Sequence, residues 1–254
     1  MAETPTAIVT GGTNGIGQAI TLTLAERGYA VIAMGNDTEQ GAATEAALRA
    51  RGLQAHVMEG DVANNADAER IAEFAMREFG RIDVLCNNAA IRPVGNVLET
   101  DEETWDRCFA VNIKGMYLFT RAVLPSMIDR KQGVIINTAS GSGYGGMGHI
   151  AYCASKGAIF PFTKSLAVDH RQDHIRANAV VPGVTLTGMT DMMPPERIAS
   201  IGESSVAGRM GMPQDIANAV AFLASDEAAT ITGAILEVGT VQSQMVMTGR
   251  VAGA

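Results

Sequence analysis

The sequence has few cysteines, no long apolar run and fewer basic than acidic residues, and each shortage excludes a class of protein. Its three cysteines, Cys86, Cys108 and Cys153, are an odd number without C-x-x-C spacing. This argues against a disulfide framework or a structural zinc site and fits a reducing compartment. No apolar run approaches the roughly 18 residues of a membrane span, and the first residues lack the features of a secretory peptide. We therefore expect a soluble, cytoplasmic protein with no membrane partner.

The charge balance argues against a nucleic-acid partner. Nineteen Lys and Arg residues stand against 27 Asp and Glu residues, so the formal net charge is −8 at pH 7 and a phosphate backbone would be repelled. Of the 254 residues, 47% are hydrophobic and 18% are charged, which excludes a disordered or fibrous protein. A single α/β domain with a large core accommodates this length.

Short apolar runs alternate with longer helical patterns along most of the chain. The runs are nearly continuous, as expected for strands that are buried on both faces of a parallel sheet. The sequence therefore predicts a doubly wound α/β fold. The predicted helices cover residues 16–27, 40–51, 65–79, 102–127, 152–170 and 215–225.

Residues 184–212 interrupt this alternation. They are rich in Thr, Met, Pro and Gly and are longer than an ordinary connection, which predicts a lid or binding loop. Met189, Met192 and Met193 within it suit a flexible apolar lid, and filling gaps in the core is the alternative role.

A glycine-rich turn joins the first predicted strand to the first predicted helix. Its sequence, Thr10-Gly11-Gly12-Thr13-Asn14-Gly15-Ile16-Gly17, lacks the G-x-G-x-x-G spacing. The backbone N–H groups of such a turn can close on a pyrophosphate, whose charge the helix N-terminus favours. The turn thus predicts a dinucleotide site, with a purely structural tight turn as the alternative.

Tyr152 and Lys156 are four residues apart in a helical pattern, so their side chains share one face. At about 5 Å and an effective dielectric constant of about 20, an ammonium group favours a phenolate by roughly 3 kcal/mol, or about two pKa units. We therefore expect Lys156 to lower the pKa of Tyr152 toward the range useful for acid–base catalysis. A surface pair, or a buried phenol with a satisfied hydroxyl, is the structural alternative.

In this order the motifs resemble the short-chain dehydrogenase/reductase family over residues 6–238. The resemblance rests on the T-G-x-x-x-G-x-G turn, the N-N-A-A segment after the fourth strand, Asn112, Ser140 and the Y-x-x-x-K motif. It implies one Rossmann-type domain over residues 1–254, a doubly wound parallel sheet of about seven strands with helices on both faces. The cofactor half would cover about 6–139 and the catalytic and substrate half about 140–240.

The resemblance also implies a reaction, the NAD(P)-dependent interconversion of an alcohol and a ketone or aldehyde by hydride transfer. Tyr152 would be the general acid/base, Lys156 would lower its pKa and bind the nicotinamide ribose, and no metal is required. Ser140 would bond the substrate oxygen, with Ser142 as a second hydroxyl in the same loop. Asn112 would hold a water that relays protons from Lys156 to solvent.

The same resemblance implies a set of cofactor-binding residues along the carboxyl ends of the strands. Asp61 and Val62 would contact the adenine, and Thr187 the carboxamide side of the nicotinamide. Besides Tyr152 and Lys156, the set comprises Gly11, Thr13, Asn14, Gly15, Ile16, Gly17, Asn36, Asp37, Asp61, Val62, Asn88, Ala89, Ala90, Pro182, Gly183, Thr185 and Thr187.

Departures from the family pattern accompany these matches. Ala90 replaces a glycine and adds a methyl group near the cofactor. Ser140 lies 12 positions before Tyr152, one fewer than in many relatives. The last strand runs into Glu237-Val238-Gly239-Thr240 rather than Asp-Gly-Gly, so we expect the C-terminal edge to pack differently.

The charge around the second strand predicts a preference for NAD(H) over NADP(H). The aligned positions are Gly35 and Asn36, which carry neither the acidic residue typical of NAD nor the basic residue typical of NADP. Asp37 and Glu39 follow, and the only base between Gly11 and Leu48 is Arg27. A 2′-phosphate would add roughly −1.5 to −2 charges to this site, whereas Asp37 can meet the ribose hydroxyls.

The sequence leaves several assignments open. Arg92 either meets an anionic substrate group or is simply solvated, and His170 and His174 suggest no third metal ligand. An atypical relative acting as a dehydratase, epimerase or enoyl reductase, and a nucleotide-sensing regulator without turnover, are the alternative functions. The apolar helix at 102–127 and the apolar last strand, with the resemblance, predict a homo-oligomer, a tetramer.

Overall fold

The computed structural model describes residues 4–188, 190, 193–203 and 205–239, and the strands in this part of the chain form one sheet. All neighbouring strands pair in parallel, in the order β3-β2-β1-β4-β5-β6-β7. The strands are β1 (Thr6–Thr10), β2 (Ala30–Gly35), β3 (Ala55–Glu59), β4 (Val84–Asn87), β5 (Gly133–Thr138), β6 (Ile175–Pro182) and β7 (Ile235–Val238).

Helices cover both faces of this sheet. They are α1 (Gly15–Glu26), α2 (Thr38–Ala50), α3 (Asn65–Phe79), α4 (Glu102–Phe109), α5 (Gly115–Arg130), α6 (Ile150–Asp169), α7 (Pro195–Glu203) and α8 (Pro213–Ala224). Within the residues described, no helix has the length and apolar character needed to cross a membrane.

The continuous apolar strands are buried on both faces, as the sequence predicts. On one face, Ile20 and Leu24 of α1 pack with Ile216 and Val220 of α8. On the other face, the packing comes from the apolar sides of α3, α5 and α6, including Ile71, Phe119, Val123 and Ala167. The predicted doubly wound sheet with helices on both faces is therefore confirmed.

Two predicted elements differ from the structure. The expected single helix at 102–127 is α4 and α5 joined by a π-helical segment at Ala110–Lys114, and α5 continues to Arg130. The expected irregular stretch at 184–212 contains α7, whose first residue is Pro195. Proline is favoured at the first position of a helix because its missing N–H has no intrahelical partner there.

The strand order places the functional region. From β1 the chain adds β2 and then β3 toward one edge of the sheet. It then returns to the other side of β1 with β4 and adds β5, β6 and β7 toward the opposite edge. In open α/β sheets, ligands bind beyond the carboxyl ends of the strands at the point where the order reverses. Here that point lies between β1 and β4, directly above the glycine-rich turn.

Candidate active site

A cleft of about 450 Å³ lies at the carboxyl ends of the central strands. Its walls come from the turn after β1, the ends of β2, β4, β5 and β6, the start of α6 and the segment after β6. Residues from the predicted set that line it are Gly11, Thr13, Asn14, Gly15, Ile16, Asn36, Asn88, Ala89, Ala90, Ser140, Tyr152, Lys156, Pro182, Gly183, Thr185 and Thr187.

The glycine-rich turn has no space for a side chain at Gly11 or Gly17, because neighbouring backbone atoms lie too close. Gly11 has φ +61°, and a Cβ there would lie 2.9 Å from the Ala89 Cα. A Cβ on Gly17 would lie 1.9 Å from the Gly11 carbonyl oxygen. Gly17 therefore packs α1 against the turn and does not itself line the cleft.

The N-terminus of α1 differs from those of the next three helices. Asp37, Asn64 and Asp101 cap α2, α3 and α4 with side-chain hydrogen bonds, whereas the Asn14 side chain makes no such bond to α1. The N–H groups of the first turn of α1 thus face the cleft without a side-chain cap. Together with the glycine cradle, this arrangement fits a dinucleotide pyrophosphate.

Ser140 and Tyr152 line the same cleft. Ser140 follows β5, and its Oγ accepts a hydrogen bond of 3.1 Å from the Ser142 N–H. Tyr152 lies in the first turn of α6 and is only 8% exposed. Burial raises the pKa of Tyr152 above its ordinary value of 10.0, and a hydrogen bond with Ser140 and the charge of Arg92 oppose this rise.

Lys156 lies one helical turn beyond Tyr152 and is 1% exposed. Its Nζ donates a hydrogen bond of 2.7 Å to the Thr138 carbonyl oxygen and lies 5.8 Å from the centre of the Tyr152 ring. Burial lowers the pKa of Lys156 from 10.5 to about 7. The expectation that Lys156 lowers the pKa of Tyr152 is therefore wrong. Burial raises the pKa of the phenol and disfavours the charged form of the lysine, so the attraction expected from their spacing does not decide the direction.

Asn112 lies in the π-helical segment and is completely buried. Its Oδ1 accepts a hydrogen bond from the Ile91 N–H, and its Nδ2 donates to the Ile91 carbonyl oxygen and to Ser155 Oγ. Since Ser155 Oγ donates in turn to the Tyr152 carbonyl oxygen, Asn112 ties the segment after β4 to α6. Its side chain is occupied by protein, so a water would have to use its backbone carbonyl.

Asp37, Asp61 and Val62 do not line the cleft. Asp37 accepts a hydrogen bond from the Gln40 N–H as the cap of α2. Asp61 pairs with Arg107 at 3.0 Å, and Val62 packs beneath α5, where a Cβ on Gly115 would meet it. Asp37, one of the two acidic residues behind the predicted NAD preference, thus caps a helix.

Several lining residues were absent from the predicted set. Gln40 enters the cleft from the first turn of α2, and Thr190 organises the segment after β6 by accepting from the Thr187 N–H and donating to the Thr185 carbonyl oxygen. Ser142, predicted as a second hydroxyl, and Met193, predicted as part of the lid, also line the cleft. The sequence signal for Gln40 was its place one turn after the predicted ribose-binding positions.

The predicted lid residues contribute in part to the cleft, whereas the histidine pair forms no metal site among the described residues. Val184 and Gly188 line the cleft with Met193, whereas Met189 and Met192 lie outside the described residues, as does Thr240. His170 pairs with Asp173 at 3.1 Å. Among the described residues, no group of three or more His, Cys, Asp or Glu side chains has an arrangement that would hold a metal ion.

A family model described as short chain dehydrogenase matches residues 5–197. The chain belongs to the short-chain dehydrogenase family. It is 36% identical over 233 residues to the meso-2,3-butanediol dehydrogenase of Serratia marcescens, covering 91% of each chain. It is also 36% identical over 238 residues to the 3-oxoacyl-acyl-carrier-protein reductase of Thermotoga maritima, covering 92% of this chain and 96% of the relative.

Among solved structures, that of gox2181 superimposes with a TM-score of 0.88 at 32% identity and covers 96% of both chains. The predicted family and Rossmann-type fold are thus confirmed. The protein is an oxidoreductase of the short-chain dehydrogenase family, which generally uses NAD(P)(H).

Proposed function

We propose that this protein interconverts an alcohol and a ketone or aldehyde with NAD(P)(H), using Tyr152 as the general acid/base. The observation that carries the proposal is that Ser140, Tyr152 and the buried Lys156 line one cleft together with the glycine-rich turn. One relative is named for oxidation of a diol and another for reduction of a 3-oxoacyl group. Both names fit chemistry at one carbon that bears either a hydroxyl or a carbonyl oxygen.

The nicotinamide, when bound, supplies or accepts the hydride. In reduction, the buried phenol of Tyr152 donates its proton to the carbonyl oxygen as negative charge develops there. The raised pKa of Tyr152 suits this donor role, because the phenol is protonated at neutral pH. Ser140 orients the substrate oxygen and stabilises its charge with a second hydrogen bond.

Lys156 exchanges protons with the Tyr152 hydroxyl during the reaction. With a pKa of about 7, its amine is a mixture of charged and neutral forms near neutral pH, so it can both give and take a proton. The Thr138 carbonyl oxygen fixes the position of Nζ. We propose that Lys156 also contacts the nicotinamide ribose and that a water on the Asn112 backbone carbonyl links it to solvent.

We propose NAD(H) as the preferred cofactor, although Asp37 does not line the cleft. The cleft lining near β2 consists of the neutral residues Gly35, Asn36 and Gln40, and a 2′-phosphate would place about −1.5 to −2 charges there. The amides of Asn36 and Gln40 can instead serve the ribose hydroxyls. Dissociation constants of NAD⁺ and NADP⁺ on one preparation test this, and tighter NADP⁺ binding contradicts it.

The proposed reaction is tested by a panel of secondary alcohols, diols, ketones and aldehydes, followed at the nicotinamide absorbance. The expected result is cofactor-dependent turnover in both directions with at least one alcohol–carbonyl pair. If tight nicotinamide binding occurs without turnover of any pair, the protein is instead a nucleotide sensor. Release of water or inversion of a stereocentre without net redox change would identify an atypical relative.

A further inference from the structure

Arg92 lies in the wall of the cleft on the same side as Tyr152. It lines the cleft together with Ser140, Ser142 and Tyr152. Its charge opposes the rise in the Tyr152 pKa, so the guanidinium lies close enough to interact with the phenol electrostatically. Nothing in the proposed acid–base chemistry uses this side chain.

The backbone on both sides of Arg92 is held by the catalytic elements. On the N-terminal side, both backbone polar groups of Ile91 are bonded to Asn112 at 2.9 and 3.0 Å. On the C-terminal side, the Pro93 carbonyl oxygen lies 3.1 Å from Nδ1 of His149, which is three residues before Tyr152. Pro93 also restricts the backbone of the residue before it.

These contacts continue beyond residue 93. The Gly95 N–H donates to the Gly148 carbonyl oxygen at 2.8 Å, and the Ile150 N–H donates to the Gly95 carbonyl oxygen at 3.1 Å. The segment from Ile91 to Gly95 is therefore fastened along the start of α6. A side chain that leaves this segment has a fixed origin relative to the Tyr152 hydroxyl, which is what recognition of one substrate group beside the reacting carbon requires.

The charges around Arg92 favour an anion. Among the described residues that line the cleft, Arg92 is the one arginine and Lys156, which burial leaves only partly charged near pH 7, is the one lysine, and no Asp or Glu is among them. The start of α6, a helix of 20 residues, adds positive partial charge beside the same wall. A guanidinium presents paired N–H donors that match a carboxylate.

We propose that Arg92 binds a carboxylate of the substrate, and that this enzyme therefore acts on small oxo and hydroxy acids. The inference rests on the proposed function, because it assigns a substrate class to the same site. The carboxylate would lie beside the carbonyl group that Ser140 and Tyr152 hold, with one face of the substrate turned to the cofactor side of the cleft.

Three oxo acids that differ in chain length provide the test. Pyruvate, acetoacetate and 4-oxopentanoate place the carboxylate progressively farther from the carbonyl carbon, and each is compared with its uncharged methyl ester. The enzymes are the wild type, Arg92→Gln, Arg92→Lys and the control Arg77→Gln, which removes the same charge from an exposed position on α3. The readouts are kcat and KM for reduction, and the thermal shift of the cofactor-saturated protein on adding each acid or ester.

The wild type is expected to prefer at least one acid to its ester. Arg92→Gln should lower kcat/KM for that acid by about 10- to 100-fold, mainly through KM, and change the ester by less than about 3-fold. Arg92→Lys should recover part of the loss, and Arg77→Gln should match the wild type. The acid-specific thermal shift should disappear in Arg92→Gln.

Two results would overturn the inference while leaving the proposed function standing. One is turnover of the esters or of neutral ketones with no preference for any acid in the wild type. The other is an equal loss for acid and ester in Arg92→Gln, which would make Arg92 a residue that acts on Tyr152 alone. If neither acids nor esters are reduced, the proposed function fails for these substrates, and the thermal shift still decides whether Arg92 binds the carboxylate.

Discussion

Lys156 is more deeply buried than the tyrosine it accompanies, and this reverses the simplest view of the pair. Spacing alone makes the lysine a fixed positive charge that turns the phenol into a phenolate. In the structure, burial favours the neutral form of both groups, so Tyr152 keeps its proton and Lys156 loses its own near pH 7. The two residues then act as neighbouring proton donors and acceptors rather than as an ion pair.

Replacing Tyr152 by phenylalanine should abolish most turnover while leaving cofactor binding largely intact. The change removes the hydroxyl that donates the proton, while the aromatic ring still fills its place at the start of α6. A loss of at least about 100-fold in kcat is expected, the lower end of what a positioned acid contributes. Turnover rates and cofactor dissociation constants of the purified variant measure this.

Lys156→Ala is the comparison for that experiment. Because Lys156 is proposed to contact the cofactor as well as to supply protons, its loss should weaken both binding and turnover. Wild-type rates in Tyr152→Phe would remove Tyr152 from the acid–base role.

The buried lysine should also leave a signature in stability. Between its native pKa of about 7 and its ordinary 10.5, the unfolded chain holds a proton that native Lys156 has released. Native wild-type protein is therefore stabilised by rising pH through this window, and Lys156→Met lacks the effect. The unfolding free energy of Lys156→Met minus that of the wild type should fall by about 2 kcal/mol between about pH 7 and pH 9.

Urea unfolding of both proteins at the two pH values measures this difference, since the other titrating groups cancel in the comparison. A difference that does not change with pH would mean that native Lys156 keeps an ordinary pKa.

At the scale of elements, α1 depends on a glycine that touches the turn before it. Gly17→Ala would force a Cβ to within 1.9 Å of the Gly11 carbonyl oxygen, which is backbone and cannot rotate away. The helix must then move off the turn that is proposed to hold the pyrophosphate. We expect at least about 2 kcal/mol of lost stability and weaker cofactor binding.

Gly41→Ala in α2 is the matched control. Its Cβ would lie 3.3 Å from a methyl group of Val57, which can shift, and alanine gains about 0.5–1 kcal/mol of helix propensity over glycine. Thermal unfolding and cofactor titration of both variants compare the two. Equal stability of Gly17→Ala and Gly41→Ala would contradict the assigned packing role.

The elements that the sequence predicted well are those with signals at both ends. The predicted helix at 65–79 matches α3, where Asn64 caps the start and Gly80 adopts a left-handed conformation at the end. The π-helical segment around Asn112 was not predicted, because residues 102–127 were interpreted as one continuous helix. Helix α7 was missed because Pro195 was interpreted as part of a loop rather than as a first helical residue.

The candidate site was also predicted only in part from the sequence. Motif order located Ser140, Tyr152, Lys156 and the glycine-rich turn, and the structure brings them into one cleft. Sequence spacing carries no information on burial, so the direction of the Tyr152 pKa was wrong. Nor does it show that Asp37 would cap its own helix, because a carboxylate before a helix suits either role.

For the whole molecule, we propose a homotetramer. Trp105 of α4, Tyr117 of α5 and Val168 of α6 are exposed apolar side chains on helices, and such surfaces are commonly covered by symmetric association. Light scattering at micromolar concentration should give about 106 kDa, four times the 26.6 kDa chain. Tyr117→Arg should reduce that mass, whereas Met76→Arg on α3 should not, and a 26.6 kDa particle would contradict the proposal.

The order of the strands has a further consequence for how the molecule responds to ligands. The half expected to bind cofactor and the half expected to hold the catalytic residues are not separate folding units, because β5 pairs with β6 and α1 packs on α8 across the division. Opening one half removes neighbours from the other, so the sheet should unfold cooperatively. Cofactor binding at the glycine-rich turn should then stabilise the entire sheet against opening. Amide hydrogen exchange should therefore slow in β6 as well as in β1 when cofactor binds.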